Sequence, residues 1–371
     1  MTSNPRIAII GGGPGGLMLA RLLDTHGMAA TVFERDAHAA DRPQGGSLDL
    51  HAETGQRAMR QARLEQAFRA AARPEDQGDR LYDEHGTLLF DRDGLGDDRP
   101  EIDRTALRRI LLDSLPSASL RWGTKITDAK PVRDGYEILN DGVTERFDIV
   151  VGADGAWSFV RSLLSDVMPL YEGVTLTELG FDTHRHPAID QLVGSGKMFA
   201  VGNNRTLIAQ RNGNGHIRGY AAIRIPEEGA RNLAGKSSGQ IRTTMLEAFK
   251  GWAPAMLRLI EDGDILGIRP MYALPIGHHW RSRPGVTLLG DAAHLMSPFS
   301  GEGVNLALAD AVDLAEALAS DKGWSAVERY EAQMVARATP AAKGAAAGLN
   351  SAISPAGVAP VLAHYRARVA G

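Results

Sequence analysis

Apolar residues first gather in a short unbroken run, Ile7-Ala8-Ile9-Ile10, which with Arg6 reads as a buried strand running straight into glycines. Helical spacing follows over residues 14–27 and stops at Gly27, and residues 29–34 (Ala-Ala-Thr-Val-Phe-Glu) read as a second strand. The chain thus opens as a βαβ unit. Further along, Arg104–Leu115 has helical periodicity, Arg146–Gly152 is a β-rich run ending in glycine, and Val286–Gly290 is another short buried strand. Between about 172 and 266 the pattern changes. Thr175–Phe181, Met198–Val201, Arg205–Gln210 and Ile217–Ile225 read as strands parted by turns such as Asn212-Gly213-Asn214-Gly215, which predicts an antiparallel sheet. Residues 303–319 and 324–348 read as helices. In the second, Trp324, Val327, Tyr330 and Met334 recur at helical spacing, which suits a brace packed across two domains. Its Ala-rich stretch, 336–348, stays in the helix because alanine is a good helix former.

A chain of 371 residues has room for two or three domains and a core that needs no cross-links. Its 43 % apolar and 23 % charged residues are those of a globular protein, but 42 glycines, about 11 %, exceed the usual ~7 %. With 41 basic and 45 acidic side chains the net charge is −4, which offers no electrostatic footprint for nucleic acid or an anionic membrane. The absence of cysteine removes disulfides, thiolate nucleophiles and Cys-based metal sites. No apolar run reaches 18 residues and the first is too short for a signal-peptide core, so a soluble cytoplasmic protein, more readily a monomer than an oligomer, is expected.

The surplus glycines mark three sites. Gly11-Gly12-Gly13-Pro14-Gly15-Gly16 follows the first strand and opens the first helix, where a tight turn, close approach to a pyrophosphate and helix–strand packing each favour a residue without Cβ. Glu34, at the end of the second strand, suits a ribose diol and would repel a 2′-phosphate there. Taken singly, a Gly-rich turn and a strand-end glutamate are ordinary features; strand, turn, helix and acid in sequence carry the nucleotide reading. The second site is Asp154-Gly155-Ala156-Trp157-Ser158-Phe159-Val160-Arg161, by itself a common turn. The third runs from Gly290-Asp291-Ala292-Ala293-His294 through Pro298, Gly301, Gly303 and Asn305 to Asp310, a strand–loop–helix in which the new helix aims its free N–H groups back into the loop. His294 there reads more readily as a capping or packing residue than as an acid.

Other patterns fall away. Gly196-Lys197 lacks the glycine and the Ser or Thr of a phosphate loop, and Gly213-x-Gly215 lies between two strands with no helix after it. His184 and His186 have no third ligand, so no metal is predicted. The Asn204-Arg205-Thr206 sequon has no meaning in a cytoplasmic protein.

The order G-x-G-x-x-G with Glu34-Arg35, then D-G-x-x-S-x-x-R, then G-D-A-A-H-x3-P-x2-G-x-G-x-N-x4-D-A resembles the class A FAD-dependent aromatic hydroxylases from residue 6 to about 335. Gly45-Gly46-Ser47-Leu48-Asp49-Leu50-His51 and Pro100-Glu101-Ile102-Asp103-Arg104-Thr105-Ala106-Leu107-Arg108 resemble the tetracycline-inactivating members. The resemblance implies an α/β fold: a discontinuous Rossmann-like FAD domain (1–70, 101–171, 267–320), a β-rich antiparallel substrate domain (71–100, 172–266) and a bridging C-terminal helix (321–371). It implies non-covalent FAD, with Gly11, Gly13 and Gly16 on the pyrophosphate, Glu34 on the ribose and Arg35 following. Arg104 and Asp291 are placed near the cofactor, Pro298, Gly301, Gly303 and Asn305 beside the flavin ring, and Asp154-Gly155 with Arg161 near both FAD and the reduced nicotinamide. By the family's mechanism NADPH or NADH reduces FAD, O₂ adds to give a C4a-hydroperoxyflavin, and the distal oxygen attacks a planar aromatic or polycyclic substrate. No side chain is thereby assigned as acid, base or nucleophile. Only one dinucleotide fold is visible, so the donor must dock transiently on the same face, as in the family, or be supplied by a partner.

Tetracycline-inactivating enzymes grip their ligand with a Gln, an Arg and a His from the insert, where threading puts Phe181, Lys197 and Arg218 in this chain. A shift of register brings in His216 or Tyr220 instead. Two cations and an aromatic wall suit an acidic or phenolate-bearing ligand, with tetracycline turned over weakly or not at all, although solvated strand charges are an equal reading of Lys197 and Arg218. A flavin reductase, or a non-catalytic flavoprotein that sequesters a planar ligand, are the competing readings. A halogenase is disfavoured because no tryptophan sits in a Trp-x-Trp-x-Ile-Pro pattern.

Overall fold

The computed structural model describes residues 5–41, 45–140 and 142–370. Its first sheet holds five parallel strands in the order Val286–Leu288, Ile149–Gly152, Ile7–Ile10, Ala30–Phe33, Leu120–Arg121. These strands are short apolar runs because helices cover a parallel sheet on both faces. The helices Pro14–Thr25 and Gly303–Ala319 pack on each other, with Gly15 fitted against Ala307. The expected run 146–152 divides at Asp148, whose N–H donates to the Arg6 carbonyl and whose carboxylate accepts the Arg6 N–H. Before that point Val143–Phe147 belongs to a separate antiparallel meander with Asp128–Val132 and Gly135–Asn140.

The second sheet has seven strands, ordered Asp264–Ala273, Leu170–Asp182, His216–Arg224, Arg205–Asn212, Gly196–Gly202, Gly78–Asp83, Leu88–Arg92. All its pairings are antiparallel except that between Gly196–Gly202 and Gly78–Asp83. Alternation along each strand gives it two unlike faces. Leu179, Phe181, Met198, Leu207, Ala209, Ile217 and Ala221 bury against the helices Pro187–Val193, Glu227–Ala234, Ser238–Ala248 and Pro254–Asp262. The last three correct the all-strand expectation for the insert. Ser237 and Gln240 form a capping box at the start of one, and Leu233, Ile241, Met245, Met256 and Leu259 line their inner faces.

The helix Trp324–Ala352 runs past residue 348 and joins the two units. Val327, Tyr330 and Met334 complete the core of the parallel-sheet unit, and the buried Tyr330 hydroxyl donates to the Leu288 carbonyl at 2.8 Å. Leu349 and Ala352, with Ile353, sit instead against Leu81, Val174, Leu176 and Val201 of the second sheet. There Thr206 donates to the Ala352 carbonyl, and Arg224 Nη2 donates to that of Ile353 at 3.0 Å. A final helix, Ala359–Ala370, which the sequence reading did not separate, adds Val361 and Tyr365 to the same cluster. No helix among the described residues is long and apolar enough to cross a membrane.

Because Leu349 is 1 % exposed, Leu349→Ala should lower stability by about 2–5 kcal/mol in a denaturant titration. Truncation after residue 322 should leave both clusters open and yield insoluble chain. A soluble, folded truncation product would show that the helix is not a brace.

Candidate cofactor and substrate site

The first glycine loop is held by contacts that admit no side chain. A Cβ on Gly11 (φ +112°) would lie 2.3 Å from the Ala153 carbonyl oxygen, and one on Gly16 would lie 2.1 Å from that of Gly11. Gly13 differs, with nothing within 4 Å of its Cβ position, so the loop presents open backbone there. The helices Pro14–Thr25 and Gly303–Ala319 both begin without a side-chain cap. Their N-terminal N–H groups are therefore available to an anion.

Glu34 is 4 % exposed, and its carboxylate faces inward: Oε2 accepts the Gly12 N–H at 2.8 Å and Oε1 the Asp36 N–H at 2.9 Å. A carboxylate has about four acceptor sites, so a ribose diol can still be bound. Its first role here is to pin the glycine loop. Opposite it stands Arg108, to which the sequence reading assigned no role. It is 3 % exposed, with Nη2 3.3 Å from Asp36 and 3.9 Å from Glu34, and it donates to the Ala39 carbonyl at 2.9 Å. Arg104, one helical turn earlier, lies instead against Gly45, while Arg35 is exposed.

In the second motif the Asp154 carboxylate accepts the Ser158 hydroxyl and the N–H groups of Phe159 (2.7 Å) and Val160 (3.2 Å), so the structure commits it to its own turn rather than to a cofactor. Arg161 is 1 % exposed and donates to the carbonyls of Ala156, Val167 and Ala292, tying this turn to the third motif. Arg161 thus acts as a buried brace between the two motifs. Asp291 is exposed at the start of the short helix Asp291–His294. His294 is buried with Nε2 2.6 Å from Asp310, inside the fold. Asn305, fully buried, accepts the His51 N–H at 2.9 Å and donates to the Asp49 carbonyl at 2.8 Å. It fastens residues 49–51 to the helix start. Pro298 is exposed, Gly303 has open space at its Cβ position, and Gly301 (φ +70°) lies against the Asp49 carboxylate.

Of the three expected substrate residues, Phe181 lies on the wrong face. It is 3 % exposed, packed among the helices behind the second sheet, because odd-numbered positions of Leu170–Asp182 point there. Lys197 and Arg218 do share the other face, with Gln210 paired between them in the ladder. Neither is a loose cation. Lys197 is 3.5 Å from Asp79, and Arg218 is 3.0 Å from the buried Glu178. Tyr220 lies on this face too, its hydroxyl 3.3 Å from the Cβ position of Gly46. The face therefore meets the Gly45–Asp49 segment, which in turn meets the Gly301 loop.

Two titrating groups sit at that junction. His51 hydrogen-bonds Asp49 at 3.1 Å and faces Glu302 at 3.5 Å; burial opposes its charge, but these carboxylates hold its pKa at about 9. Glu101, 3 % exposed, accepts the Ser47 hydroxyl and the Gln210 amide, and burial pushes it up to about 7 against the pull of Lys197.

Residues 5–347 match the family described as FAD binding domain, and the chain belongs to that family. The monooxygenase asqM of Emericella nidulans is 34 % identical over 378 residues, covering 85 % of this chain and 84 % of the relative. Klebsiella pneumoniae HpxO, solved with FAD and uric acid, superposes with a TM-score of 0.80 at 21 % identity, over 99 % of this chain and 93 % of that one. The tetracycline destructase Tet(55) gives 0.78 at 20 % identity, over 100 % and 95 %. At such identities the two structures share the fold. The chain is thus a family member whose open Gly13 backbone, paired uncapped helix starts and buried Glu34 fit FAD.

Arg108→Ala removes the counter-charge of two buried carboxylates, so it should cost about 3 kcal/mol and strip FAD more effectively than Asp291→Ala. Melting curves and flavin retention on gel filtration check this; equal retention in the two variants would contradict it. Glu101 has a folded pKa of about 7 against an ordinary 4.5, so its contribution to stability is full below pH 4.5 and lost as pH rises through 7. Relative to Glu101→Gln, the unaltered protein should lose roughly 1–3 kcal/mol across that window.

Proposed function

We propose that the protein is an FAD-dependent monooxygenase that takes electrons from NADH or NADPH and uses O₂ to hydroxylate a planar aromatic or polycyclic small molecule. The observation that carries this reading is the junction of the glycine loops with the mixed-charge face of the second sheet. Bound FAD would supply two-electron redox chemistry and the activation of O₂. The chain's own residues bind and position. The backbone N–H groups of residues 13, 15, 16 and 303–305 would hold the anionic part of the cofactor, and Asn305 keeps the 49–51 segment against that loop. Phe199, Tyr220 and Phe299, which pack around the buried cluster of Leu81, Leu176 and Leu349, give the substrate side an apolar lining that excludes water. One dinucleotide fold means that the donor docks transiently. Kinship with monooxygenases supports the reaction type, while the differing side chains at 197 and 218 argue against tetracycline as the natural substrate.

Purified protein should be yellow and release intact FAD on denaturation. It should consume NADPH or NADH and O₂ together, faster when an aromatic substrate is present. Protein that stays colourless after incubation with FAD would overturn the proposal, and donor oxidation without oxygen transfer to any aromatic compound would leave a reductase.

A further inference from the structure

Three cations on the inward face of the second sheet, Lys197, Arg218 and Arg269, are already matched. Lys197 Nζ is 3.5 Å from Asp79, Arg218 Nη1 is 3.0 Å from Glu178 Oε1, and Arg269 Nε is 2.5 Å from Glu178 Oε2. The two acids are 4 % and 2 % exposed. Asp79 also takes the Tyr365 hydroxyl at 3.5 Å, and Lys197 feels Asp49 and Glu101 as well. An incoming carboxylate that claimed Lys197 would draw it away from the buried Asp79, and one that claimed Arg218 or Arg269 would have to compete with the buried Glu178 that the two guanidiniums share.

What the face has left to offer is uncharged. The Tyr220 hydroxyl has no hydrogen-bond partner among the described residues, and burial raises its pKa, so it remains a donor. Gln210 gives its amide nitrogen to Glu101 at 2.9 Å, which leaves its amide oxygen as an acceptor. In the ladder Gln210 opposes Arg218, so Tyr220 is its diagonal neighbour, roughly 7–8 Å away. That spacing suits the two polar edges of a fused ring pair.

We propose that Asp79 and Glu178 are specificity-determining residues: by occupying Lys197, Arg218 and Arg269 they make the site select an uncharged hydroxy-aromatic ligand, held by Tyr220 and Gln210, and reject aromatic carboxylates. This rests on reading the face as the substrate wall of the FAD enzyme, and it replaces the acidic ligand that the sequence alone suggested.

The test titrates FAD-loaded protein with two matched pairs, 2-naphthol against 2-naphthoate and phenol against benzoate, by calorimetry and by the change in flavin absorption. In at least one pair the uncharged member should bind roughly tenfold tighter. Asp79→Asn and Glu178→Gln, accepted only if they retain FAD and melt cooperatively, should shrink that preference roughly fivefold by releasing a cation. Tyr220→Phe should weaken naphthol and leave naphthoate unchanged. Acids that bind as tightly as phenols, failure of every probe to saturate, or a preference unmoved in folded variants overturns the proposal. Because each titration begins from protein that has taken up FAD, those results are distinct from failure to bind the cofactor at all.

Discussion

Two backbones meet at Gly11 and Ala153 with no room for a β carbon, and the rest of the cofactor cleft depends on that approach. The first strand and the strand Ile149–Gly152 must end together for it to occur, and they do because both lie in the same parallel sheet with Ile10 opposite Gly152. The turn then delivers the chain into the helix Pro14–Thr25 so abruptly that Gly16 closes on Gly11. Any side chain at either position would push the helix start away from the sheet, and with it the amides that face an anion. Glu34 acts from the neighbouring strand by drawing the Gly12 amide inward, and Arg108 supplies the counter-charge that lets such a carboxylate be buried. The loop is thus fixed by steric exclusion on one side and a buried ionic group on the other.

The second sheet solves a different problem with the period of two. Every strand that crosses it sends alternate residues to an apolar face sealed by helices and to a face turned toward the cleft. On the cleft side, charges are tolerated because they are paired in place: Glu178 sits between two guanidiniums, and Asp79 opposes Lys197 directly in the parallel ladder. Pairing within the sheet rather than across the cleft keeps the wall intact whether or not a ligand is present. Polar specificity is then carried by the neutral groups left over.

The parts legible in the sequence are those specified by neighbours along the chain. Buried parallel strands read as apolar runs, glycine turns as glycine turns, and the helix beginning at Gly303 as a stripe bounded by its loop. Illegible were features set by partners far away. Asn305 looks like a ligand residue in its motif, yet its hydrogen bonds go to residues some 250 positions earlier. Arg104 and Arg108 are equivalent by periodicity, and only the position of Glu34 and Asp36 decides which turns inward. Phe181 could be placed on the cleft side only while the strand's register was unknown. The helices between 227 and 262 were masked by long polar faces, although Ser237 and Gln240 already carried a helix-start signal.

The bridging helix shows why apolar spacing alone understates its role. Beyond Tyr330 and Met334 it carries Arg337, whose guanidinium lies 2.9 Å from Asp310 and 2.6 Å from Asp313 on the helix Gly303–Ala319. Asp310 is completely buried and also accepts the Gly290 N–H at 3.0 Å and faces His294 at 2.6 Å. Asp313 in turn meets Arg57 at 2.7 Å. A greasy stripe can slide by a turn with little penalty, but a buried carboxylate with three assigned partners has one position in which all are satisfied. The ionic network therefore sets the register of the brace against the third glycine motif. The same helix reaches the second sheet at Leu349 and Ile353, so that register also fixes how far the substrate wall stands from the cofactor loop.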